Sequence, residues 1–433
     1  MLKKGVFLLI CLFNLCCLRA DQSVGDTSFL TSSKPVVYKP LETLTEMASL
    51  GFDIDSLVRY TDAMGARLNG TLIIARHDTI ILERSYGFLQ LYKKNTNYRN
   101  VQESQLDELR LHPDNKMWKT ALFDLASISK QFTAAAILKL CDEGLISLQD
   151  TLGKLVPELP YRKVTVRQLL THTTGIPEYF NFKYDIFDTS TFVDNEQLIQ
   201  VLKRQRYPLD FPSGTRFEYR NTNYAILATI VERVSGQSFE AYVHDNFFGP
   251  AGMNDTFFFT ELIDTNRRWP AAKKGDIYTP YAWINPEITL PITRGHKKDG
   301  SLALYDRFNG ILGDKGIYSN VEDMIRWTNA YFIRYDLLPE ECVARASTRQ
   351  NTLKNGILPK QSYGYGLRLE ESPTHGLLVY HGGLWDGYQN LWLYRPKDNL
   401  QIVFLSNYYN GAHAGKSDEV LNIIDNLIFH DHQ

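Results

Sequence analysis

Ser127-Ile128-Ser129-Lys130 opens an apolar helical pattern carried by Phe132, Ala135, Ala136 and Leu140. Its serine and lysine stand at i and i+3, a spacing that puts two side chains on one helix face. A serine hydroxyl is a weak nucleophile at neutral pH and needs a base beside it. A lysine amine removed from water can be that base, because burial disfavours its charged form. A serine in the first helical turn also has backbone N–H groups and the positive end of the helix dipole close by. Four such residues recur by chance in many chains, so their meaning depends on what surrounds them.

The Ser127 helix is predicted to end at Gly144, a residue suited to the left-handed position after a helix. Upstream, Thr71-Leu72-Ile73-Ile74-Ala75 and Thr79-Ile80-Ile81-Leu82 flank His77-Asp78 and read as a β-hairpin closed by Tyr86-Gly87. Leu41 to Leu68 reads as helical, and Tyr92 to Lys116 as a polar surface excursion. Downstream, helices are expected from a Thr165 cap to Leu170, over Asn195 to Arg204, over Asn223 to Val234 before Gly236, and over Val321 to Phe332. Leu262 to Tyr305 is irregular and rich in Pro, Arg, Lys and Tyr, the composition of a lid or rim.

Strand patterns return at the end, in Tyr365 to Leu369, Leu377 to Tyr380, Leu391 to Tyr394 and Gln401 to Leu405. An amphipathic helix over Lys416 to Phe429 closes the chain. Strands at both ends with helices between them predict an α+β fold, an α/β sandwich. Its antiparallel sheet is built from both chain ends and flanked by helices. A mainly helical subdomain at about 145–330 is inserted, with the active site between the two parts.

A length of 433 residues with 44% hydrophobic content accommodates one large domain with insertions, or two domains. The formal net charge of −2, with dispersed basic residues, argues against a nucleic-acid surface. Residues 1–20 read as a secretory signal: Met1-Leu2-Lys3-Lys4 is a basic start, Val6 to Leu18 is apolar apart from Asn14, and Ala20 ends a cleavage site. The expectation is an exported, periplasmic or secreted protein. It would meet a membrane through an uncleaved or lipidated N-terminus if at all. Residues 21–68 would be a lead-in and helix, and 69–430 the main domain. Of 5 cysteines, Cys11, Cys16 and Cys17 fall in the signal, which leaves Cys141 and Cys342, too few for a disulfide framework. The 10 histidines are scattered without metal-ligand spacing, so neither metal nor cofactor is expected.

Three further segments bring chemistry. In Phe217-Glu218-Tyr219-Arg220-Asn221 a tyrosine and an asparagine two apart in a loop can face one side. A phenol there could relay protons and an amide could hold a carbonyl; equally, Asn221 or Asn223 could cap the next helix and Tyr219 fill the core. His381-Gly382-Gly383 follows a strand pattern, where glycines let a ligand backbone approach the strand edge. His381 could orient a substrate there. His172, in Thr171-His172-Thr173-Thr174-Gly175, reads as a buried, hydrogen-bonded structural residue.

These motifs, in this order, resemble the serine β-lactamase and penicillin-binding-protein family. The nearest branch looks like the class C type, with its DD-carboxypeptidases, D-aminopeptidases and esterases. The likeness runs from about Asn69 through Ser127-Ile128-Ser129-Lys130, Leu169 to Gly175, Pro212-Ser213-Gly214, Tyr219-Arg220-Asn221, Gly313 to Ser319 and His381-Gly382-Gly383. The resemblance implies that Ser127 is acylated and Lys130 accepts or relays its proton. Tyr219 would act as base and acid, and Asn221, His381 and Gly383 would orient the substrate. The backbone N–H groups of Ser127 and Leu384 would form the oxyanion hole. Whether Lys130 or Tyr219 is the main base stays open.

The implied partner is a small peptide, amide or ester, D-amino-acid or cell-wall in type. Two other readings remain: a carboxylesterase on this scaffold, and a binding protein without turnover. Histidine at 381, where many relatives place a lysine, argues against efficient β-lactam hydrolysis. Arg220 stands where the resemblance has a small residue, and it could point away, narrow the site or bind an anion. Trp385 adds bulk near the oxyanion position.

Overall fold

Strands from the two ends of the chain pair with each other in a computed structural model. It describes residues 69–92, 105–188, 190–262, 291–350, 361–372 and 376–409, all within the unit Val36–Gln433. The signal, the lead-in helix, most of the 262–305 stretch and the closing helix lie outside the described residues.

In chain order, β1 is Gly70–Arg76, β2 Thr79–Tyr86 and β3 Phe123–Asp124. The larger helices are α1 Lys130–Asp142, α2 Val166–Leu170, α3 Asn195–Gln205 and α4 Asn221–Ser235. Strands β4 Phe257–Phe258 and β5 Ile317–Ser319 precede α5 Val321–Thr328. Then follow β6 Gln361–Tyr363, β7 Arg368–Ser372, β8 Gly376–Trp385, β9 Tyr388–Arg395 and β10 Leu400–Ser406.

The main sheet is antiparallel in the order β2-β1-β10-β9-β8-β7-β6. The end-to-end closure is the β1–β10 ladder, with Ile73 opposite Val403 and Leu72 opposite Phe404. Every described helix lies between β2 and β6 in sequence, as an α+β fold with an inserted helical part requires. The core runs without a break from the sheet into the helices: Ile73 and Val403 belong to the same apolar cluster as Phe132, Trp327 and Ile230. The Phe132 and Trp327 rings meet at 4.3 Å. Each such fully buried side chain contributes about 1.5–3 kcal/mol by leaving water.

Several local readings match the structure. Thr165 caps α2 in a reciprocal pair with Gln168, and Gly236 ends α4 at φ 73°. Gly144, at φ 72°, follows α1. Three readings need correction. Ser127 lies in a tight 3-10 turn, Ala126–Ser129, that leads into α1, rather than in the helix proper. Asn221 is the first residue of α4 rather than a loop residue. His381 and Gly383 lie inside β8, opposite Trp392 and Asn390, rather than after it.

Candidate active site

A small sheet in the order β3-β5-β4 holds the chain just before Ser127. Leu125 N donates to Ile317 O at 2.8 Å. Ala126 sits at φ 49°, a left-handed backbone that costs an L-residue about 1 kcal/mol or more. Asp124 Oδ1 accepts from Ala126 N at 2.7 Å and holds that conformation. Burial raises the Asp124 carboxyl to about 7, against the opposing pull of this hydrogen bond and of Lys315. The turn leaves Ser127 half-buried while Ser129 and Lys130 are wholly buried.

Lys130 has three acceptors. Its Nζ donates to Ser127 Oγ at 3.0 Å, to Asn221 Oδ1 at 2.8 Å and to the Asp314 carbonyl at 2.8 Å. Burial lowers its pKa from 10.5 to about 8, with Asp314 and Glu178 pulling upward and Arg368 downward. A neutral amine keeps two N–H donors and one lone pair. The Asp314 carbonyl and Asn221 Oδ1 can only accept, so they take the two donors. The lone pair is then left for the partner that has a proton to give, the Ser127 hydroxyl.

Tyr219 presents its ring at 4.9 Å from Lys130 Nζ. Its hydroxyl is buried without a well-aligned hydrogen bond. Burial raises the phenol well above its usual range, while the Arg368 guanidinium and the neighbouring Ser127 hydroxyl pull it down. His172 is buried beneath it, ring centroids 4.4 Å apart, and its Nδ1 accepts from Arg220 N at 3.1 Å. Burial holds His172 neutral, with Lys130 and His381 adding to the effect. The structural reading of His172 thus fits its surroundings: it carries the back of Tyr219.

His381 is also buried and kept neutral by burial, with the Arg368 and Lys130 charges adding to the effect. Its Nδ1 lies 2.7 Å from the Gly382 carbonyl and its Nε2 3.2 Å from the Tyr363 hydroxyl. Both ring nitrogens are therefore engaged within the protein. At Gly383 the close neighbour is this chain's own backbone rather than a ligand: a Cβ there would lie 2.2 Å from Leu125 O. The glycine lets β8 press against the Ser127 turn. Leu384 follows, 44% exposed, at the rim of that contact. Trp385 lies stacked on Phe180 at 4.9 Å and donates to Asn309.

Arg220 turns away from the reaction centre. It pairs with Asp210 at 2.9 Å and with Glu218. Arg368 does the reverse. Its guanidinium lies 5.4 Å from the centre of the Tyr219 ring, and among the described residues no carboxylate pairs with it. Sequence reasoning missed Arg368, Glu178 and the Asp314 carbonyl. The arginine is one residue on a short strand, and a backbone carbonyl has no side-chain signature.

Known proteins resemble this chain over most of its length. A family model described as Beta-lactamase matches residues 54–424. This chain belongs to the beta-lactamase family. Its beta-lactamase relatives include Penicillin-binding protein 4* of Bacillus subtilis (strain 168), 26% identical over 347 residues, which cover 79% of this chain and 68% of that one. The chain spans between 65% and 68% of the length of such relatives. A penicillin binding protein from Bacillus halodurans shares the fold at a TM-score of 0.64 and 23% identity, over 84% of this chain and 98% of that one. A D-stereospecific amidohydrolase from Streptomyces sp. does so at 0.62 and 20%, over 88% and 100%. The family is of serine-hydrolase type, with a penicillin-binding protein among the relatives of this chain.

Proposed function

We propose that the chain is an exported serine hydrolase that forms an acyl-enzyme on Ser127, with a D-amino-acid peptide or amide of cell-wall type as substrate. The observation that carries this reading is the Lys130 amine, buried and 3.0 Å from Ser127 Oγ. Ser127 Oγ attacks the acyl carbon as its proton passes to Lys130. The carbonyl oxygen becomes an oxyanion facing the N–H groups of Ser127 and Leu384, each worth about 3 kcal/mol in comparable sites. The intermediate collapses as the leaving amine takes a proton through Tyr219. Water then enters, gives a proton to the same relay and releases the acid, which restores the Ser127 hydroxyl.

Substrate class follows from the groups around this centre. The Arg368 guanidinium beside Tyr219, which meets no carboxylate among the described residues, suits a carboxylate on the leaving group. Penicillin-binding and D-stereospecific amidohydrolase relatives favour a D-configured peptide or amide over a plain ester. His381, neutral and internally bonded, provides no cation for a β-lactam carboxylate. The basic and then apolar N-terminus, Lys3 to Leu18, supports export.

Intact-mass analysis after treatment with a fluorophosphonate tests the chemistry, with Ser127→Ala as control. One adduct per chain, lost in the control, is the expected result. Hydrolysis of D-amino-acid amides and muropeptides in preference to short esters is expected to follow. An unlabelled, well-folded protein would refute the acyl-enzyme. Fractionation of expressing cells tests export, and retention of residues 1–20 in a cytoplasmic protein would count against it.

A further inference from the structure

We propose that Glu178 is a positioning residue whose carboxylate decides which end of the Asn221 amide meets Lys130. This rests on the reading of Ser127 as the acylated residue with Lys130 as its base.

The two ends of an Asn side chain have the same shape and opposite hydrogen-bonding character. At this site the difference decides catalysis. Asn221 Oδ1 accepts one Lys130 N–H at 2.8 Å, which helps leave the amine's lone pair for Ser127. With the amide reversed, its NH2 would point at Lys130 and compete for that lone pair. Nothing in α4 itself prevents the reversal, since Asn221 is the first residue of the helix and its side chain caps nothing.

Glu178 supplies the constraint. Its Oε2 accepts from Asn221 Nδ2 at 3.1 Å and from Asn221 N at 2.6 Å. Its Oε1 accepts from Thr222 Oγ1 at 3.3 Å. The backbone N–H fixes Oε2 as an acceptor, so the amide atom beside it has to be the donor. A reversed amide would set two oxygens against each other in a site largely closed to water, and an unmade charged hydrogen bond there is costly. Glu178 is therefore the first link of a relay of direction: carboxylate to amide, amide oxygen to amine, amine lone pair to serine.

Glu178 also acts on Lys130 through its charge. Among the groups facing the amine, Asp314 and Glu178 raise its pKa, and Arg368 lowers it. The Tyr219 and Tyr224 rings lie beside it at 4.9 and 5.7 Å. His172 and His381 are held neutral nearby, and Lys315 repels it from behind. Neutralising Glu178 thus removes one of two upward influences, and the Lys130 titration moves to lower pH.

The test is the rate of fluorophosphonate labelling from about pH 6 to about pH 10. It is measured for wild type, Glu178→Gln, Glu178→Met and Asn221→Asp. Glu178→Gln keeps an acceptor oxygen beside the Asn221 N–H and loses only the charge, so its plateau rate is expected within about threefold of wild type with the rising limb moved to lower pH, whereas Glu178→Met removes the acceptor and is expected to slow labelling about tenfold or more. Asn221→Asp sets two carboxylates face to face and is expected to be slow as well. The Asn221→Asp limb moves to higher pH, because a carboxylate then touches Lys130.

A folded Glu178→Met protein labelled within about twofold of wild type would overturn the proposal, as would a Glu178→Gln protein as slow as Glu178→Met. The Asn221 side-chain amide resonance reads the same hydrogen bond without any chemistry. Its Nδ2 proton is expected downfield in wild type and upfield in Glu178→Met, and an unchanged position overturns the inference. An unlabelled wild type would instead sink the acylation reading and leave the resonance to judge Glu178.

Discussion

Two lysines are buried beside the same residue, Asp314, and they are built for opposite ends. Lys130 and Lys315 are 0% and 3% exposed, and burial lowers both pKa values. Lys315 donates to Tyr179 Oη at 2.9 Å and to Ile311 O at 3.1 Å, and sits 3.6 Å from Asp314 Oδ1. The hydroxyl it touches already gives its proton to Asp314 Oδ2 at 2.8 Å. The hydroxyl that Lys130 touches belongs to a half-buried serine at the open side of the site. Burial alone therefore does not make a base. A base needs a neighbour with a proton left to give and a path for a substrate to reach it.

The sharpest way to break this contrast is to replace each lysine in turn. Lys130→Met is expected to slow Ser127 labelling about 1,000-fold, within the usual range for loss of a general base. Lys315→Met is expected to change the rate less than about tenfold, yet to lower stability by about 3 kcal/mol, because it strips a buried carboxylate of its cation. Chemical denaturation beside labelling rates checks both. If Lys315→Met proved as slow as Lys130→Met without loss of stability, the division of labour between the two lysines would be wrong.

Gly383→Ala tests the contact that brings β8 to the serine. A methyl group there meets Leu125 O at 2.2 Å, so the strand or the Ser127 turn has to move. Labelling is expected to fall about tenfold or more from misplaced oxyanion donors, with the fold retained. Survival of full activity would show that β8 does not set that geometry.

The pH dependence follows from Lys130. Burial lowers its pKa from 10.5 to about 8, and the neutral amine is the working form. Activity is expected to climb about tenfold per pH unit below about 8 and to level above it. A bell centred on neutrality would point to another base. The smallest effect belongs to Arg220→Ser. Its ion pairs with Asp210 and Glu218 face away from Ser127, so a change within about threefold in rate and about 1 kcal/mol in stability is expected. A large gain in hydrolysis would mean that Arg220 restricts the site after all.

Much of this site was legible along the chain because its first pair is local. Ser127 and Lys130 meet through i,i+3 spacing, which any helical turn enforces, even though the serine proves to lie in a 3-10 turn before the helix. Tyr219 and Asn221 were readable as types but not as partners. The alternative roles weighed for them, core filler and cap, were settled by contacts: Tyr219 lies under Lys130, and Asn221 caps nothing. Gly383 was rightly marked as a place of close approach, but what approaches is Leu125, from the far side of the inserted helical region. Arg368 and Glu178 had no signal, since an isolated charge in a strand or a loop usually faces solvent.

Alternating and helical hydrophobic periods along the chain were enough for an α+β fold closed by its two ends, because those periods report which face each element buries. Side-chain type was enough to name a serine and a lysine able to do acyl chemistry. Whether that lysine is a base depends on groups the chain brings from far away: Asn221 is 91 residues from Lys130 and Asp314 184. Desolvation and the direction of a lone pair are properties of that three-dimensional shell, and no local pattern encodes them. Folding brings the pKa of an ordinary lysine down from 10.5 to about 8 and aims its amine at Ser127.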